Sequence, residues 1–255
     1  MIPIAYVINL DRDTKRMSGT ADNLSRLGIK YERIPAVNGG ALTNSATLID
    51  GPRYRVRNRR DEPRPGEIGC YLSHLKAIDT FLRTEAPWCL ILEDDVELSS
   101  DCPKLFETLD RSDDWDLVKL FNFHGGTPIA CRRLGASHHL VVHLTCTTSA
   151  AAYVLNRRAA KTLSATLLPI VEQFDHAMDR PWVSRLRIRG IRPMPAALRS
   201  EDAAASTIGY DNRSRRPFRP LKEIRLGAFR AAKELSRLLY AIGEAITIRQ
   251  RKMRS

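Results

Sequence analysis

The residues of this chain best suited to chemistry are three consecutive carboxylates, Glu93, Asp94 and Asp95, which follow an apolar run at residues 88–92. A run of that length is typical of a buried strand. Adjacent carboxylates repel one another unless a cation lies between them. Ligands of open α/β sheets bind at the carboxyl ends of the strands, and Mg²⁺-type ions take carboxylate oxygens together with substrate phosphates. We therefore interpret the triplet as a metal and nucleotide site, with a solvated acidic turn as the alternative.

The elements that must position the triplet alternate between strands and helices. The patterns predict a strand at 2–10, a helix at 15–27 that stops at Gly28, and a strand at 31–35. This β–α–β order favours a parallel sheet. Further helices are predicted at 66–85 and 157–167, and further strands at 116–121, 141–144 and 151–155. The predicted fold class is α/β, with a mostly parallel sheet flanked by helices.

Residues 39–65 carry six arginines, three prolines and few apolar side chains. We predict a mobile loop there. A basic loop ahead of an acidic site would close over phosphates, and a solvated surface loop is the alternative.

Four ordered blocks of the sequence resemble glycosyltransferase family 25, which includes bacterial lipopolysaccharide and lipooligosaccharide glycosyltransferases and collagen galactosyltransferase domains. The blocks are residues 6–11 with Arg16, 33–39, 66–76 and 91–96, with weaker matches at 152–155 and 174–176. The resemblance implies a GT-A-like, Rossmann-type fold. It also implies inverting, metal-dependent transfer of a sugar, galactose from UDP-galactose, to a lipooligosaccharide or lipopolysaccharide core.

The triplet resembles the DxD motif of GT-A glycosyltransferases, with Glu in the first place. Alternate residues of an extended segment point the same way, so Glu93 and Asp95 are the predicted ligands of Mn²⁺ or Mg²⁺. Asp94 then faces the opposite side and contacts the ribose or a backbone amide. His176 is a further metal candidate, because a late His completes the site in many GT-A enzymes. The cation would neutralise charge on the departing nucleoside diphosphate.

Inversion requires a carboxylate or histidine that takes the proton of the acceptor hydroxyl. Asp175 is the first candidate for this base and Glu172 is its competitor, with capping or surface roles as the alternatives. The UDP-sugar contacts are predicted at strand ends and helix starts. These residues are Asn9, Asp11, Arg16, Ser73, Lys76, Asp94 and Lys119. For Lys119 a structural ion pair is the alternative.

The composition excludes several classes of protein. Hydrophobic residues make up 43% and charged residues 27% of the 255, as in ordinary soluble globular proteins. No apolar run approaches the ~18 residues that span a bilayer, and no signal peptide precedes the first strand, so we predict a cytosolic protein. The five cysteines form no CxxC pair, which disfavours a structural zinc site or a disulfide framework. P-loop, GxGxxG, HExxH and GxSxG motifs are absent from the sequence.

Positive charge is concentrated at the C-terminus. Residues 213–255 hold thirteen Lys or Arg and three Glu, which is ten of the formal net charge of +12. We therefore divide the chain into a transferase domain at 1–212 and a basic amphipathic tail at 213–255. Apolar residues recur at helical spacing, at Leu221, Ile224, Ala228, Ala232, Leu235, Leu239, Ile242 and Ile246. Basic residues occupy the other positions, at Lys222, Arg225, Arg230, Lys233 and Arg237.

A basic amphipathic helix is typical of binding to an anionic membrane surface. That location, peripheral on the inner face of the plasma membrane, suits a lipid-linked oligosaccharide acceptor. A helix packed on the body with solvated charges is the alternative. Other functional hypotheses are a protein or capsule acceptor, an inactive scaffold, and a non-enzymatic nucleic-acid-binding protein that uses the tail. The tail has few aromatic residues for stacking on bases, so we expect no nucleic-acid partner.

Overall fold

A central mixed sheet of eight strands, flanked by helices, carries the candidate site. The computed structural model describes residues 2–199 and 219–254, and for 251–254 it describes the backbone alone. The strands are β1 (Ala5–Asn9), β2 (Tyr31–Pro35), β3 (Trp88–Glu93), β4 (Val96–Leu98), β5 (Leu117–Lys119), β6 (Pro128–Leu134), β7 (His138–His143), β8 (Ala152–Asn156), β9 (Ile188–Arg192) and β10 (Ala196–Leu198). The helices are α1 (Thr14–Arg26), α2 (Gly51–Arg57), α3 (Pro65–Leu82), α4 (Cys102–Asp110), α5 (Arg157–Thr166), α6 (Phe174–Met178), α7 (Pro181–Ser184) and α8 (Pro220–Arg254).

The strand order of the large sheet is β2-β1-β3-β8-β5-β9-β7-β6, and β4 pairs with β10 in a separate ribbon. Three pairs are parallel (β1 with β2, β1 with β3, and β5 with β9), and the four pairs made by β8 and β7 are antiparallel. Six of the eight strands therefore run in one direction, and only β8 and β7 are reversed. The predicted α/β class, a mostly parallel sheet flanked by helices with a C-terminal helix, is confirmed.

The apolar run before the triplet is a strand buried on both faces. Cys89 and Ile91 of β3 pack into a cluster on the side of α3 and α5. Leu90 and Leu92 pack into a second cluster with Leu24 of α1 and residues of α4. Because side chains alternate along a strand, an unbroken apolar run fills both layers. The run ends at the sheet edge where the carboxylates begin.

The prediction of a mobile loop at 39–65 is wrong, because much of this segment is helical. Turns of 3₁₀ helix lie at Gly39–Ala41 and Ser45–Leu48, and α2 follows. The Asp50 side chain caps α2 by accepting from the Arg53 N–H at 3.0 Å, and Pro52 lies in its first turn. Both features favour a helix start. Tyr54 then anchors α2, with 2% of its surface exposed.

The C-terminal helix α8 packs against the body through its basic face. Lys222 bonds to Asp61 at 2.7 Å, Lys233 to Glu172 at 2.6 Å, and Arg237 reaches the backbone oxygen of Asp179 at 2.8 Å. The basic face of α8 therefore matches the alternative hypothesis of a helix packed on the body. The predicted domain boundary near residue 213 lies outside the described residues. Among the described helices, none combines the length and apolarity needed to cross a bilayer.

Candidate functional site

A cavity of about 330 Å³ lies at the carboxyl ends of β1 and β3, beside the first turns of α1 and α3. Its wall includes all three carboxylates of the triplet and Arg16 of α1. The segment around Gly39 closes one side. A Cβ on Gly39 would lie 1.7 Å from the Pro65 carbonyl oxygen, and one on Gly69 would lie 2.5 Å from that of Val37. Only glycine allows this backbone contact, which draws the Gly39 segment against α3 at the cavity.

Arg16 supplies one positive charge to the triplet. Its Nη2 lies 3.1 Å from Asp94 Oδ1 and 2.5 Å from Asp95 Oδ2. Asn9, at the end of β1, donates to Asp94 Oδ2 at 2.7 Å and to the Asp13 carbonyl oxygen at 2.9 Å. Asp94 is thus held by two of the residues predicted to contact the donor, Asn9 and Arg16. Arg16 and Asp94 line the cavity, and Asn9 lies behind them as a partner of Asp94.

Asp95 is the carboxylate with unmet bonding capacity. Its Oδ1 is buried and has no hydrogen-bond partner among the described residues. Burial raises the pKa of Asp95 to about 7, and the neighbouring charge of Glu93 raises it further than Asp94 does. Burial also raises the pKa of Asp94, against the hydrogen bond from Asn9. One guanidinium therefore does not neutralise this set of carboxylates, and carboxylate oxygens are the ligands that a divalent cation takes.

Sequence reasoning missed His74 as a site residue. Its Nε2 lies 3.3 Å from Glu93 Oε1 and its Nδ1 lies 3.1 Å from the Tyr153 hydroxyl. The ring is fully buried and stacks on Phe174 at 4.3 Å between centroids. Cys70, one turn earlier on α3, places its Sγ 3.9 Å from the same Glu93 oxygen. The four-residue spacing of Cys70 and His74 on a helix next to the triplet was the available signal.

The other predicted donor contacts lie in different surroundings. Ser73 lines the cavity and accepts from the Val37 N–H at 2.8 Å. Asp11 is mostly exposed and pairs with Arg33. Lys76 donates to the Pro35 carbonyl oxygen at 2.8 Å. Neither Asp11 nor Lys76 lines the cavity.

Lys119 lies in the interior, away from the cavity. It is buried at 1% exposure, donates to Thr147 Oγ1 at 3.1 Å, and lies 3.9 Å from Asp179. Burial lowers its pKa, while the charge of Asp179 opposes that shift. The structure therefore contains an ion pair of Lys119 with Asp179, which is the alternative role given for Lys119 above.

A second cavity, of about 470 Å³, lies between α2, α6 and α8. Glu172 and His176 line it rather than the first cavity. Glu172 is buried and surrounded by Arg57 at 3.5 Å, Arg180 at 3.4 Å and Lys233 at 2.6 Å. His176 Nδ1 lies 3.9 Å from Cys146 Sγ, and burial lowers its pKa. The structure therefore does not bring His176 to Glu93 and Asp95, and it commits Glu172 to three cations.

Asp175 lines neither cavity but lies next in sequence to residues that line the second one. Its neighbours Glu172, Gln173 and His176 line the second cavity. Cys70 lines the first cavity, and the pKa of its thiol is raised mainly by burial and then by the charges of Glu93 and Asp175. Asp175 Oδ2 accepts from the N–H of Ser149 at 3.1 Å, and Ser149 has a φ of 117°. Such strained backbone clusters at functional sites.

The sequence matches a known protein family over most of its length. The sequence model of glycosyltransferase family 25 (LPS biosynthesis protein) matches residues 2–178. A glycosyltransferase 25 family member of Anopheles gambiae is 27% identical over 209 residues, which cover 75% of this chain and 35% of that protein. Procollagen galactosyltransferase 2 of Mus musculus is 32% identical over 122 residues, which cover 44% of this chain and 20% of that protein. This chain thus matches about a third of the length of the first relative and less of the second.

Among solved structures, the chain is similar to a mutant of Drosophila β1,4-galactosyltransferase 7 in complex with manganese, UDP-Gal and xylobiose. The TM-score is 0.40 at 8% identity, over 88% of this chain and 79% of that one.

Proposed function

Because this chain belongs to glycosyltransferase family 25, we propose that it is an inverting, metal-dependent glycosyltransferase that moves galactose from UDP-galactose to a lipooligosaccharide or lipopolysaccharide core. The observation that carries the proposal is the unpartnered, buried Oδ1 of Asp95 in a cavity at the strand ends. The family description names LPS biosynthesis, and a relative is named as a galactosyltransferase. These names support the acceptor and the donor sugar.

Glu93 and Asp95 are the proposed ligands of a divalent cation, Mn²⁺ or Mg²⁺. When bound, the cation supplies positive charge against the diphosphate of the leaving nucleotide. His176 lies on the second cavity, so the proposed metal set rests on Glu93 and Asp95. His74 orients Glu93 through the 3.3 Å contact. Arg16, Ser73 and Asp94 remain the proposed UDP-sugar contacts, because they line the cavity. Asn9 remains with them through its hydrogen bond to Asp94.

Asp175 is the proposed general base. It makes no ion pair among the described residues and accepts only backbone N–H bonds, from Ser149 and His176. Its neighbours in sequence line the second cavity, and its charge acts on Cys70, which lines the first. A base must reach both the acceptor hydroxyl and the reacting carbon, so this location suits it. Glu172 lacks that freedom, because three cations surround it.

We propose that α8 attaches to the membrane through its apolar face, rather than through the basic residues that the sequence predicts to bind an anionic surface. The apolar stripe points outward: Leu221 is 73% exposed, Leu239 63% and Ile246 53%. Three of the five basic residues, Lys222, Lys233 and Arg237, turn inward and pair with carboxylates. Arg225 and Arg230 remain exposed. We infer that the apolar stripe contributes to membrane affinity together with the exposed cations of the helix.

Point changes test the membrane proposal better than deletion of residues 213–255, since deletion would uncover the buried carboxylates of Glu172 and Asp179. We expect Leu235→Ser with Leu239→Ser to release the protein from vesicles that contain phosphatidylglycerol, while turnover of a soluble acceptor stays unchanged. Arg225→Gln is the matched control and should weaken vesicle binding slightly, by about 1 kcal/mol. Unchanged co-sedimentation of the double variant would remove the membrane from the proposal.

A donor screen tests the reaction class directly. UDP-galactose, UDP-glucose, UDP-N-acetylglucosamine and representative GDP- and CMP-sugars would be incubated with the protein, with and without Mn²⁺, and release of the nucleotide measured. We expect release from UDP-galactose only when metal is present. Turnover of another UDP-sugar would change the donor, and turnover of none would contradict the proposed activity.

A further inference from the structure

The second cavity carries more positive charge than its carboxylates neutralise. Its lining cations are Arg57, Arg59, Arg60, Arg230 and Lys233, and its lining carboxylates are Glu67, Glu172 and Glu234. Arg180 adds a further cation, which contacts Glu172 from outside the lining. At neutral pH the wall therefore has a formal excess of positive charge. Such an excess inside a concave wall favours an anion.

The cations converge around one buried carboxylate. Glu172 is 2% exposed, and it lies within 3.5 Å of both Arg57 and Lys233. One carboxylate cannot neutralise the three cations that contact it. The effect is visible at Arg57, whose pKa is lowered by burial and then by the charge of Arg180. A second anion would complete the neutralisation.

Some of the lining cations are available to a ligand. Arg230 is exposed and makes no hydrogen bond or ion pair among the residues whose side chains the structure describes. Arg59 is half-exposed and has a loose pair with Glu223 at 3.5 Å. Guanidinium groups bind phosphate oxygens through paired N–H bonds. Arg59 and Arg230 can therefore turn to a phosphate without breaking a buried contact.

The second cavity is also placed for an acceptor. Pro65 and Gly66 line the donor cavity, and the next residue, Glu67, lines the second cavity. The two cavities thus meet at the first turn of α3, close to Asp175. Residues of α8 form the other wall, and the outer face of α8 carries the exposed apolar stripe.

We propose that the second cavity binds a phosphate-bearing group of the acceptor, either a phosphorylated sugar or a lipid phosphate. This inference rests on the proposed transfer to a lipid-linked glycan. It adds to that function a recognition site, formed by Arg59, Arg230 and the cations around Glu172, that is separate from the nucleotide cavity.

The test uses the full-length protein and inorganic phosphate, titrated by calorimetry at constant ionic strength. The variant is Arg59→Ala with Arg230→Ala, because neither residue holds a buried partner. The matched control is Arg225→Ala, which removes an exposed arginine of the same helix outside the cavity. We expect saturable binding that weakens about tenfold in the double variant and not in the control. Absence of saturable binding, or equal binding by all three proteins, would overturn the proposal.

Two competition arms separate the sources of the phosphate. A soluble sugar phosphate that displaces inorganic phosphate assigns the site to the glycan, whereas displacement only by vesicles containing phosphatidylglycerol assigns it to lipid. Displacement by neither would also overturn the proposal. Phosphate binding is measured without UDP-sugar, so it can be read even if the donor screen fails. Where transfer occurs, the double variant should raise the acceptor KM and leave donor hydrolysis unchanged.

Discussion

Two sets of buried carboxylates in this fold differ in their partners. Asp95, in the donor cavity, shares one guanidinium with Asp94, and its pKa is raised to about 7 by burial. Asp179 is more deeply buried, with 3% of its side chain exposed against 19% for Asp95, but it contacts Arg237, Thr147 and Lys119, and these partners outweigh burial and lower its pKa. Burial alone therefore does not decide the charge of a carboxylate. The fold completes the Asp179 cluster by itself and leaves the triplet one cation short.

The same contrast separates the two candidate bases. Glu172 has three cationic contacts, while Asp175 has only backbone donors. A carboxylate that is fully paired stabilises the fold, and one that is not can bind a ligand or take a proton. Substitutions in the paired and in the incompletely paired carboxylates should therefore have different effects.

The largest expected effect is on turnover. Asp175→Asn removes the proton acceptor, so kcat should fall by about 10²–10⁴ with little change in the free energy of unfolding. Glu172→Gln is the comparison. It leaves buried cations without their carboxylate, so it should lower stability more than kcat. Equal turnover by Asp175→Asn and wild type would remove Asp175 from the mechanism.

Breaking the Asp179 cluster should change stability instead. We expect Asp179→Asn to lower the free energy of unfolding by about 3–5 kcal/mol at pH 7, because it leaves Arg237 and Lys119 buried without their counter-charge. Asp61→Asn, which loosens the exposed start of α8, should cost less than about 1 kcal/mol. Urea denaturation measures both. If the two variants were equally stable, α8 would not depend on the buried pair.

The stability that the charge of Asp179 contributes should decrease at low pH. The pKa of Asp179 is lowered from 3.8, so its stabilisation is present above that value and is lost as the pH falls through the lower folded value. The difference between wild type and Asp179→Asn should therefore shrink when denaturation is repeated near pH 3. A difference that stayed constant between pH 7 and pH 3 would mean that the charge of Asp179 is not what stabilises α8.

Asp95→Asn should lower activity without lowering stability, which is the reverse of the effect expected for Asp179→Asn. Transfer should fall about 10²–10³-fold, since a charged group at the developing negative charge is lost. The metal-free protein should unfold at the same temperature or a higher one, because like-charge repulsion with Glu93 is relieved. Thermal melts without metal, run beside the transfer assay, give both values. A large drop in melting temperature would place Asp95 with the structural carboxylates.

The smallest effect is expected from a change at Tyr153, which contacts His74 and so supports the orientation of Glu93. Tyr153→Phe removes the hydroxyl 3.1 Å from His74 Nδ1 and keeps the ring. We expect the Mn²⁺ concentration for half-maximal activity to rise about tenfold, with kcat at saturating metal nearly unchanged. A loss of kcat that metal does not restore would indicate a packing defect instead.

Periodic segments of this fold were predictable, whereas contacts between distant charges were not. The apolar runs of β1 and β3 and the helical spacing of α1 and α3 predicted their elements. β6 and β9 were missed because arginines interrupt their apolar pattern. Arg189 in β9 is buried, and its partners there include Glu244 and Tyr240 of α8, far along the chain. No local pattern contains that information.

The candidate site followed the same rule. The triplet predicted a cavity at the strand ends, and the residue types at Asn9 and Arg16 predicted polar contacts there. Their contact with Asp94 depends on the pairing of β1 with β3, which links residues more than eighty positions apart. The outward direction of the apolar stripe on α8 depends on Glu172 and Asp179, which attract the basic face inward.

The most direct test of the central claim is calorimetric titration of UDP into the protein with and without Mn²⁺, for wild type, Asp95→Asn and Glu97→Gln. Glu97 is an exposed carboxylate two residues from Asp95 and serves as the control. We predict that wild type and Glu97→Gln bind UDP only with Mn²⁺, and that Asp95→Asn loses this binding. Metal-independent UDP binding of equal strength in all three proteins would contradict the assignment of the triplet as the metal and nucleotide site.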